Sequence, residues 1–377
     1  MEICHIILGK ANPDRMNGVN RVVNELVSRQ TLAGLQVNVW GIASDLLHNY
    51  PIRIFPTKLF RKKYFPFSIP SELENEIRKK AGEQIIFHLH GGFIPQFYTI
   101  CKLLHKYNIP FVITPHGSYN VIAMNRNNLV KKFYFHYFES TLLKNAMAIH
   151  SLGQSEIEGL KKIYPNDKTV LIPYGIDLTP MPGNITPSPG FIIGYCGRMD
   201  LYTKGLKELV IGFDMFFSKH PHADLWIIGD GPEREILEKL AHSLTAANRI
   251  KFWGAQYGNQ KEDILSQCSV FASPSRNEGL PSAILEAAAM GIPCLVTEAT
   301  NMGDYIRKYK AGKVIAHTEP EEIFNGLNSL YHEMKSPVDK AQYKFNTRKM
   351  IENEFSWSNV LSQFNAMYEC RTIPMTC

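Results

Sequence analysis

The stretch Ser269–Thr297, SVFASPSRNEGLPSAILEAAAMGIPCLVT, constrains the fold more than any other part of the chain. Its opening, Ser269-Val270-Phe271-Ala272, is the apolar run of a short buried strand, and Pro274, Asn277 and Gly279 then break the pattern into a loop. From Pro281 to Met290 most residues are good helix formers. Pro281 suits the first helical position, Gly291 the stop, and Pro293 lies just beyond. Cys294-Leu295-Val296 then begins another strand. Strand, loop, helix and strand predict one unit of a parallel α/β sheet, whose loop stands at the carboxyl ends of the strands, where ligands bind.

Two carboxylates mark that end, Glu278 in the loop and Glu286 in the helix one turn past Ser282. Helical side chains lean toward the N-terminus, so Glu286 is expected to reach back and share a crevice with Glu278. The amides around Leu280 to Ala283 lie at the positive end of the helix dipole and suit an anion such as phosphate. Carboxylates beside an anion site fit best as hydrogen-bond acceptors for sugar hydroxyls. The plainer alternative is a solvated loop acid and a dipole-stabilised helix acid.

At 377 residues the chain exceeds the usual size of a single core, so two domains are expected. The best linker is Pro180-Met181-Pro182-Gly183-Asn184-Ile185-Thr186-Pro187-Ser188-Pro189-Gly190. It divides a first domain, residues 1–175, from a second, residues 191–354, and residues 355–377 supply an amphipathic helix with Trp357, Val360, Leu361 and Phe364 at helical spacing, expected to pack across the domains. Strands are expected at Val37–Gly41, Ile85–His90, Phe111–Thr114, Ala146–His150 and Thr169–Ile172, with helical patterns between most of them. This is a parallel, doubly wound domain. The second domain starts again with Phe191–Cys196, followed by strands in Leu225–Ile228 and Ile250–Gly254.

Several loops at strand ends carry candidate groups. Gly18 opens a helix from about Val19 to Leu32 and allows close backbone approach by a ligand. Neither Gly9-Lys10 nor Gly312-Lys313 has the upstream glycine of a P-loop. His116 follows a strand beside Gly117 and is expected to point into the crevice, although a satisfied structural histidine is the commoner case. His88 and His90 are expected on opposite faces of their strand, so that only one could line a site. Arg198 and Lys204 bracket the loop after Phe191–Cys196, where two cations could hold a diphosphate.

Charge is uneven: residues 1–175 hold 21 Lys and Arg against 12 acids, residues 176–377 hold 20 against 23. Much of the excess lies in Lys58–Phe65 and Lys131–Tyr134, where cations alternate with aromatics. Such a mixture suits an anionic membrane or an anionic lipid-linked substrate, with solvated loops and a helix face as the alternative. Nucleic acid is disfavoured, because no recognised binding motif accompanies the charge. Seven unpaired-looking cysteines and no CxxC or HExxH spacing argue against a disulfide framework or a structural zinc. The opening strand carries Glu2 and lacks a basic leader, and no apolar run is long enough to span a bilayer, so a cytoplasmic protein, attached at most peripherally at the inner face of the membrane, is expected.

Taken together, Gly197-Arg198 with Lys204-Gly205, Gly229-Asp230-Gly231-Pro232, Phe252-Trp253-Gly254, and Glu278-Gly279 with Glu286-Ala287 resemble, in order and spacing, the retaining GT-B glycosyltransferases of the family 4 type, which include many bacterial O-antigen and capsule enzymes. The resemblance implies two Rossmann-like doubly wound domains facing a cleft, the first binding a saccharide or lipid-linked saccharide acceptor and the second a nucleotide-sugar donor, a UDP or GDP sugar. It implies that Arg198 and Lys204 grip the donor diphosphate, Glu278 bonds the sugar hydroxyls and Glu286 the ribose. Gly279, Leu280, Pro281 and Ser282 would lie against sugar and phosphate, Gly18 would cap the phosphates, and His116 would lie near the anomeric carbon. No metal or other cofactor is implied, in keeping with the lack of a DxD pair at a strand end. Two departures stand out: Asn17-Gly18 replaces a common Gly-Gly, and Gly279-Leu280-Pro281 replaces a common Gly-Phe-Gly.

Two other readings are consistent with the same fold. One is a nucleotide-sugar epimerase or hydrolase; the other is a silent GT-B subunit that scaffolds a partner enzyme, against which the intact Arg198, Lys204, Glu278 and Glu286 count. A nicotinamide dehydrogenase is disfavoured because no GxGxxG follows any strand.

Overall fold

The computed structural model describes residues 1–12, 18–47, 53–120, 124, 128–178 and 190–369. The expected linker at 180–190 therefore lies outside the described residues, apart from Gly190. The chain forms two compact units, Met1–Tyr174 with Trp357–Cys377, and Gly175–Ser356.

The first unit is built on seven strands: β1 (Glu2–Leu8), β2 (Gln36–Ala43), β3 (Thr57–Arg61), β4 (Ile85–His90), β5 (Phe111–Thr114), β6 (Ala148–Ser151) and β7 (Thr169–Leu171). Their spatial order is β3-β2-β1-β4-β5-β6-β7, and every pairing is parallel. Every residue of β4, β5 and β6 is buried, as parallel strands covered by helices on both faces require. Connections run outward from β1 on one side and from β4 on the other, so the strand order reverses between β1 and β4.

The tail helix, Trp357–Glu369, belongs to this unit. Its Val360, Phe364, Met367 and Tyr368 share one core with Ile3, Ile7, Ile86 and Val112 of the sheet. Trp357 meets the Arg29 guanidinium, 5.5 Å from the ring centroid. The 3.6-residue period that announced this helix is what turns these four side chains onto a single face.

His88 and His90 lie on the same face of β4, with ring centroids 4.2 Å apart, and His5 of β1 stacks beside them. The expectation of opposite faces is thus corrected. A strand repeats every two residues, so positions 88 and 90 point the same way and only 89 faces across.

β3 was not expected as a strand. It occupies the sheet edge, with Phe60 buried and Lys58, on the same face, reaching Glu76 at 2.8 Å. The exposed Lys58 and Arg61 protect this edge with charge.

The second unit holds six parallel strands: β8 (Phe191–Cys196), β9 (Ala223–Ile228), β10 (Ile250–Gly254), β11 (Val270–Ser273), β12 (Cys294–Thr297) and β13 (Gly312–Ile315). They are ordered β10-β9-β8-β11-β12-β13, so the reversal falls between β8 and β11. The organising stretch folds as strand β11, a loop, the helix Ser282–Ala289 and strand β12. Pro281 is the cap rather than the first helical residue, and Gly291, at φ +83°, ends the helix.

Candidate functional site

The loops that follow β8 and β11 flank the reversal point of the second sheet, and glycine makes their geometry possible. After β9 the chain turns back through Gly229-Asp230-Gly231 and lies directly on the β8 loop: Gly197 N–H donates to the Ile228 carbonyl at 3.0 Å and Met199 N–H to the Asp230 carbonyl at 2.9 Å. A Cβ on Gly229 would fall 1.9 Å from the Gly197 oxygen, and one on Gly231 2.4 Å from the Met199 oxygen. The two glycines thus clamp the strand end that presents Arg198.

Beyond Arg198, Asp200 caps the short helix Leu201–Lys204 by accepting from the Thr203 amide at 2.8 Å. Asp200 also pairs with the exposed Arg198 guanidinium at 2.9 Å. Gly205 follows at φ +65°, where a Cβ would meet the Pro274 oxygen and Thr318 Cγ2 at 2.4 Å. This tight passage aims Lys204 back at the β11 loop.

Lys204 Nζ donates to Glu278 Oε1 at 2.5 Å, and Ser275 Oγ donates to the same oxygen at 2.9 Å. Both charged side chains are largely enclosed, 21% and 13% exposed. The loop bearing Glu278 is itself fastened from outside. Asn301 Nδ2 donates to the Glu278 and Gly279 carbonyls at 2.9 and 2.6 Å, while Arg276 bonds the Tyr202 and Thr318 carbonyls and pairs with Glu208 at 2.9 Å. Leu280 is buried, and Pro281 leads into a helix start with no side-chain cap, so that amides of its first turn, at Ser282 and Ala283, form the positive end of a dipole. Glu286 does not share a lysine with Glu278: its Oε2 accepts from Lys261 Nζ at 2.7 Å.

Sequence reasoning missed four of these contributors. Ser275 and Arg276 stand inside the organising stretch, three and two residues before Glu278. Lys261 and Asn301 carry no local signal that ties them to the site, because each is brought in by a different helix or turn.

In the first unit Gly18 begins the helix Gly18–Leu32, and a Cβ there would meet nothing within 4 Å among the described residues. Residues 13–17, including Asn17, lie outside the described residues. His116 sits past the end of β5 in the left-handed region, φ +53°, followed by Gly117 at φ +81°. Its Nδ1 is 2.9 Å from the Tyr174 hydroxyl and its Nε2 3.1 Å from His90 Nδ1. Of the six ring nitrogens of His5, His88 and His90, one from each lies within 4.8 Å of the other two, close enough to share a cation. All six are instead engaged by hydrogen bonds to neighbours.

Burial pushes the His5 and His150 imidazoles down to about 4, and His88, His90 and His116 well below the ordinary histidine range. It pushes the Glu139 and Glu156 carboxyls up to about 7. The two effects oppose each other. Between about pH 6.5 and 4 the unfolded chain binds protons on these histidines that the folded chain refuses, so stability is lost as pH falls. The glutamates protonate first in the folded state between about pH 7 and 4.5, which restores some stability on the same descent. With five histidines against two glutamates, the urea midpoint is expected to be lower at pH 5 than at pH 7, by an amount worth about 2 kcal/mol or more. A midpoint that held level or rose would show that the histidines charge freely in the folded protein.

Two doubly wound parallel units, the second with cationic and acidic loops at its reversal point, define the class of GT-B glycosyltransferases. The family pattern Glycosyltransferase Family 4 matches residues 16–180, and the pattern Glycosyl transferases group 1 matches residues 183–348. The chain belongs to this family of glycosyltransferases. It is 24% identical over 321 residues to TuaC of Bacillus subtilis, a glycosyltransferase provisionally assigned to teichuronic acid biosynthesis, covering 74% of this chain and 77% of that one. It is 25% identical over 179 residues to the capsular polysaccharide biosynthesis glycosyltransferase CapM of Staphylococcus aureus, which covers 47% of this chain and 46% of CapM. Among solved structures, Anabaena HepE in complex with UDP superposes with a TM-score of 0.75 over 98% of this chain and all of that one, at 14% identity, a likeness of fold.

Proposed function

We propose that this glycosyltransferase is a retaining, metal-independent hexosyltransferase that moves a sugar from a UDP or GDP donor to a lipid-linked saccharide in the assembly of a surface polysaccharide. The observation that carries the reading is the Lys204–Glu278 contact at the carboxyl end of the second sheet. A cation for phosphate and an acceptor for sugar hydroxyls stand side by side, next to a helix start whose dipole favours an anion. Those are the two halves of a nucleoside-diphosphate sugar.

Arg198 and Lys204 then carry the charge that develops on the departing diphosphate, Glu278 accepts hydrogen bonds from the sugar, and Glu286 accepts from the ribose. The bond from the anomeric carbon to the phosphate oxygen breaks while the bond to the acceptor oxygen forms on the same face. The acceptor's proton passes to the leaving phosphate, so no side-chain base is required. The first unit serves the acceptor. The UDP complex of HepE supports a UDP donor, and the roles named for TuaC and CapM support a polysaccharide product.

The test is a transfer reaction from an α-linked UDP-hexose followed by proton NMR, with and without chelator. The expected product is α-linked and forms at the same rate in both. A β-linked product, or a reaction abolished by chelation, would remove the proposed mechanism.

The exposed surface of the first unit supports peripheral membrane attachment. Leu129, Val130, Phe133 and Tyr137 project from the segment 128–139, with the Phe133 and Tyr137 rings 4.5 Å apart, and Tyr64 and Phe65 are exposed as well. Arg61, Lys62, Lys63 and Lys132 accompany them in sequence. No described helix is long and apolar enough to cross a membrane. Co-sedimentation with vesicles containing anionic lipid is expected, weakening with salt and lost with Phe133→Ser and Tyr137→Ser together. Equal binding to neutral vesicles at high salt would contradict it.

A further inference from the structure

The histidines of the first unit form one hydrogen-bond chain, and its direction follows from a single group. The Ile172 carbonyl can only accept, and His150 Nε2 lies 2.7 Å from it, so His150 carries its proton on Nε2 and accepts on Nδ1. The donor to that Nδ1 is the Thr114 hydroxyl, at 2.7 Å. Having given its proton away, Thr114 Oγ1 must accept from His88 Nε2, at 2.6 Å. His88 Nδ1 then accepts from the Tyr368 hydroxyl at 2.8 Å, and the Tyr368 oxygen accepts from Gln30 Nε2 at 3.4 Å.

This orients the Gln30 amide. Its oxygen faces His5 Nε2 at 2.8 Å, so His5 donates there and accepts on Nδ1 from His90 Nε2, also at 2.8 Å. His90 Nδ1 in turn accepts from His116 Nε2 at 3.1 Å, and His116 Nδ1 accepts from the Tyr174 hydroxyl at 2.9 Å. Every contact is consistent with every other. Each of the five histidines is neutral with its proton on Nε2, and both nitrogens of His116 are spent inside the unit.

We infer that Tyr368, Gln30, His5 and His90 are positioning residues for the His116 loop: one chain, oriented from the Ile172 carbonyl and running through the tail helix, holds His116 in a fixed tautomer and ring orientation. Burial acts in the same direction, and in this orientation an imidazolium at His5, His88, His90 or His150 would place two donors against each other. The loop is braced from its other side by Glu156, whose Oε1 accepts from the Gly117 amide at 2.6 Å. His116 therefore has no free nitrogen with which to act as a base. The link to turnover rests on the proposed function; the chain itself does not.

Long-range proton–nitrogen NMR of the histidine-labelled protein at pH 7 tests this without any substrate. The five histidines are expected to show protonated Nε2 and bare Nδ1, each as a single tautomer. Tyr368→Phe removes the oxygen that joins Gln30 to His88. In that variant His150 should keep its tautomer while His5, His90 and His116 become mixtures, and kcat should fall about tenfold with the donor KM unchanged. A proton on Nδ1, or a charged ring, in any of the five in the wild type overturns the chain. Mixed tautomers with unaltered kcat overturn the positioning role alone. Full turnover in His116→Ala would instead count against the proposed function, whatever the spectra show.

Discussion

Lys204→Ala is expected to lower kcat/KM for transfer by about a thousandfold in a protein that still folds, with a somewhat lower melting temperature. Removing one preorganised donor from a developing negative charge costs about a hundredfold to a thousandfold. Here the loss is compounded. Glu278 accepts from Lys204 at 2.5 Å and is mostly enclosed, so the variant leaves an uncompensated carboxylate in the proposed donor site. The fold should survive because Lys204 ends a four-residue helix with no buried residues and its neighbours Asp200 and Gly205 keep their contacts. Kinetics of the purified variant beside its melting curve decide the matter: near-normal turnover would remove Lys204 from the site.

Gly229→Ala should be among the most damaging single methyls in the second unit, costing about 3 kcal/mol or more. Its Cβ would lie 1.9 Å from the Gly197 oxygen and 3.0 Å from the carbonyl carbon, both backbone atoms that no rotamer change can move aside. The residue also sits at φ +135°, outside the range a residue with a side chain readily adopts. Relief requires the β8 loop to lift, which displaces Arg198 and Lys204 together. Activity should therefore fall even in any fraction that stays folded. Gly279→Ala is the natural control, since a Cβ there meets nothing within 4 Å among the described residues. Similar melting temperatures for the two variants would contradict this account of the clamp.

Much of the architecture was legible because periodicity is a local property. β4, β5, β8 and β10 begin and end where the apolar runs do, and the strand, loop and helix of Ser269–Thr297 follow in the order read, the helix one residue shorter at each end. β13 was missed because Gly312-Lys313-Val314-Ile315 has only two apolar residues in a row, although Gly312 is required there: a Cβ would lie 1.9 Å from the Cys294 oxygen. β3 was missed because its basic and aromatic residues were taken for a surface property. The glycines of Gly229-Asp230-Gly231 read as a turn, whereas their larger role is backbone-to-backbone packing against a loop some thirty residues earlier.

The site divides along the same line. Lys204 and Glu278 were visible by residue type at strand ends, and the sheet order brings those ends together. Lys261 beside Glu286, Asn301 beneath Glu278 and Tyr368 against His88 arise from contacts 25, 22 or 23, and 280 positions apart. No spacing rule reaches them.

The claim at the centre is that the loop pair Lys204 and Glu278 holds a nucleoside-diphosphate donor, and thermal unfolding in the presence of UDP, GDP, ADP, CMP and dTDP tests it most directly. A ligand that binds only the folded state at about a hundred times its dissociation constant adds roughly 2.7 kcal/mol, enough to raise the melting temperature visibly. The account predicts a rise with one of the diphosphates in the wild type, unchanged by chelator and absent in Lys204→Ala. No rise with any of the five, or an equal rise in the wild type and in Lys204→Ala, would contradict it.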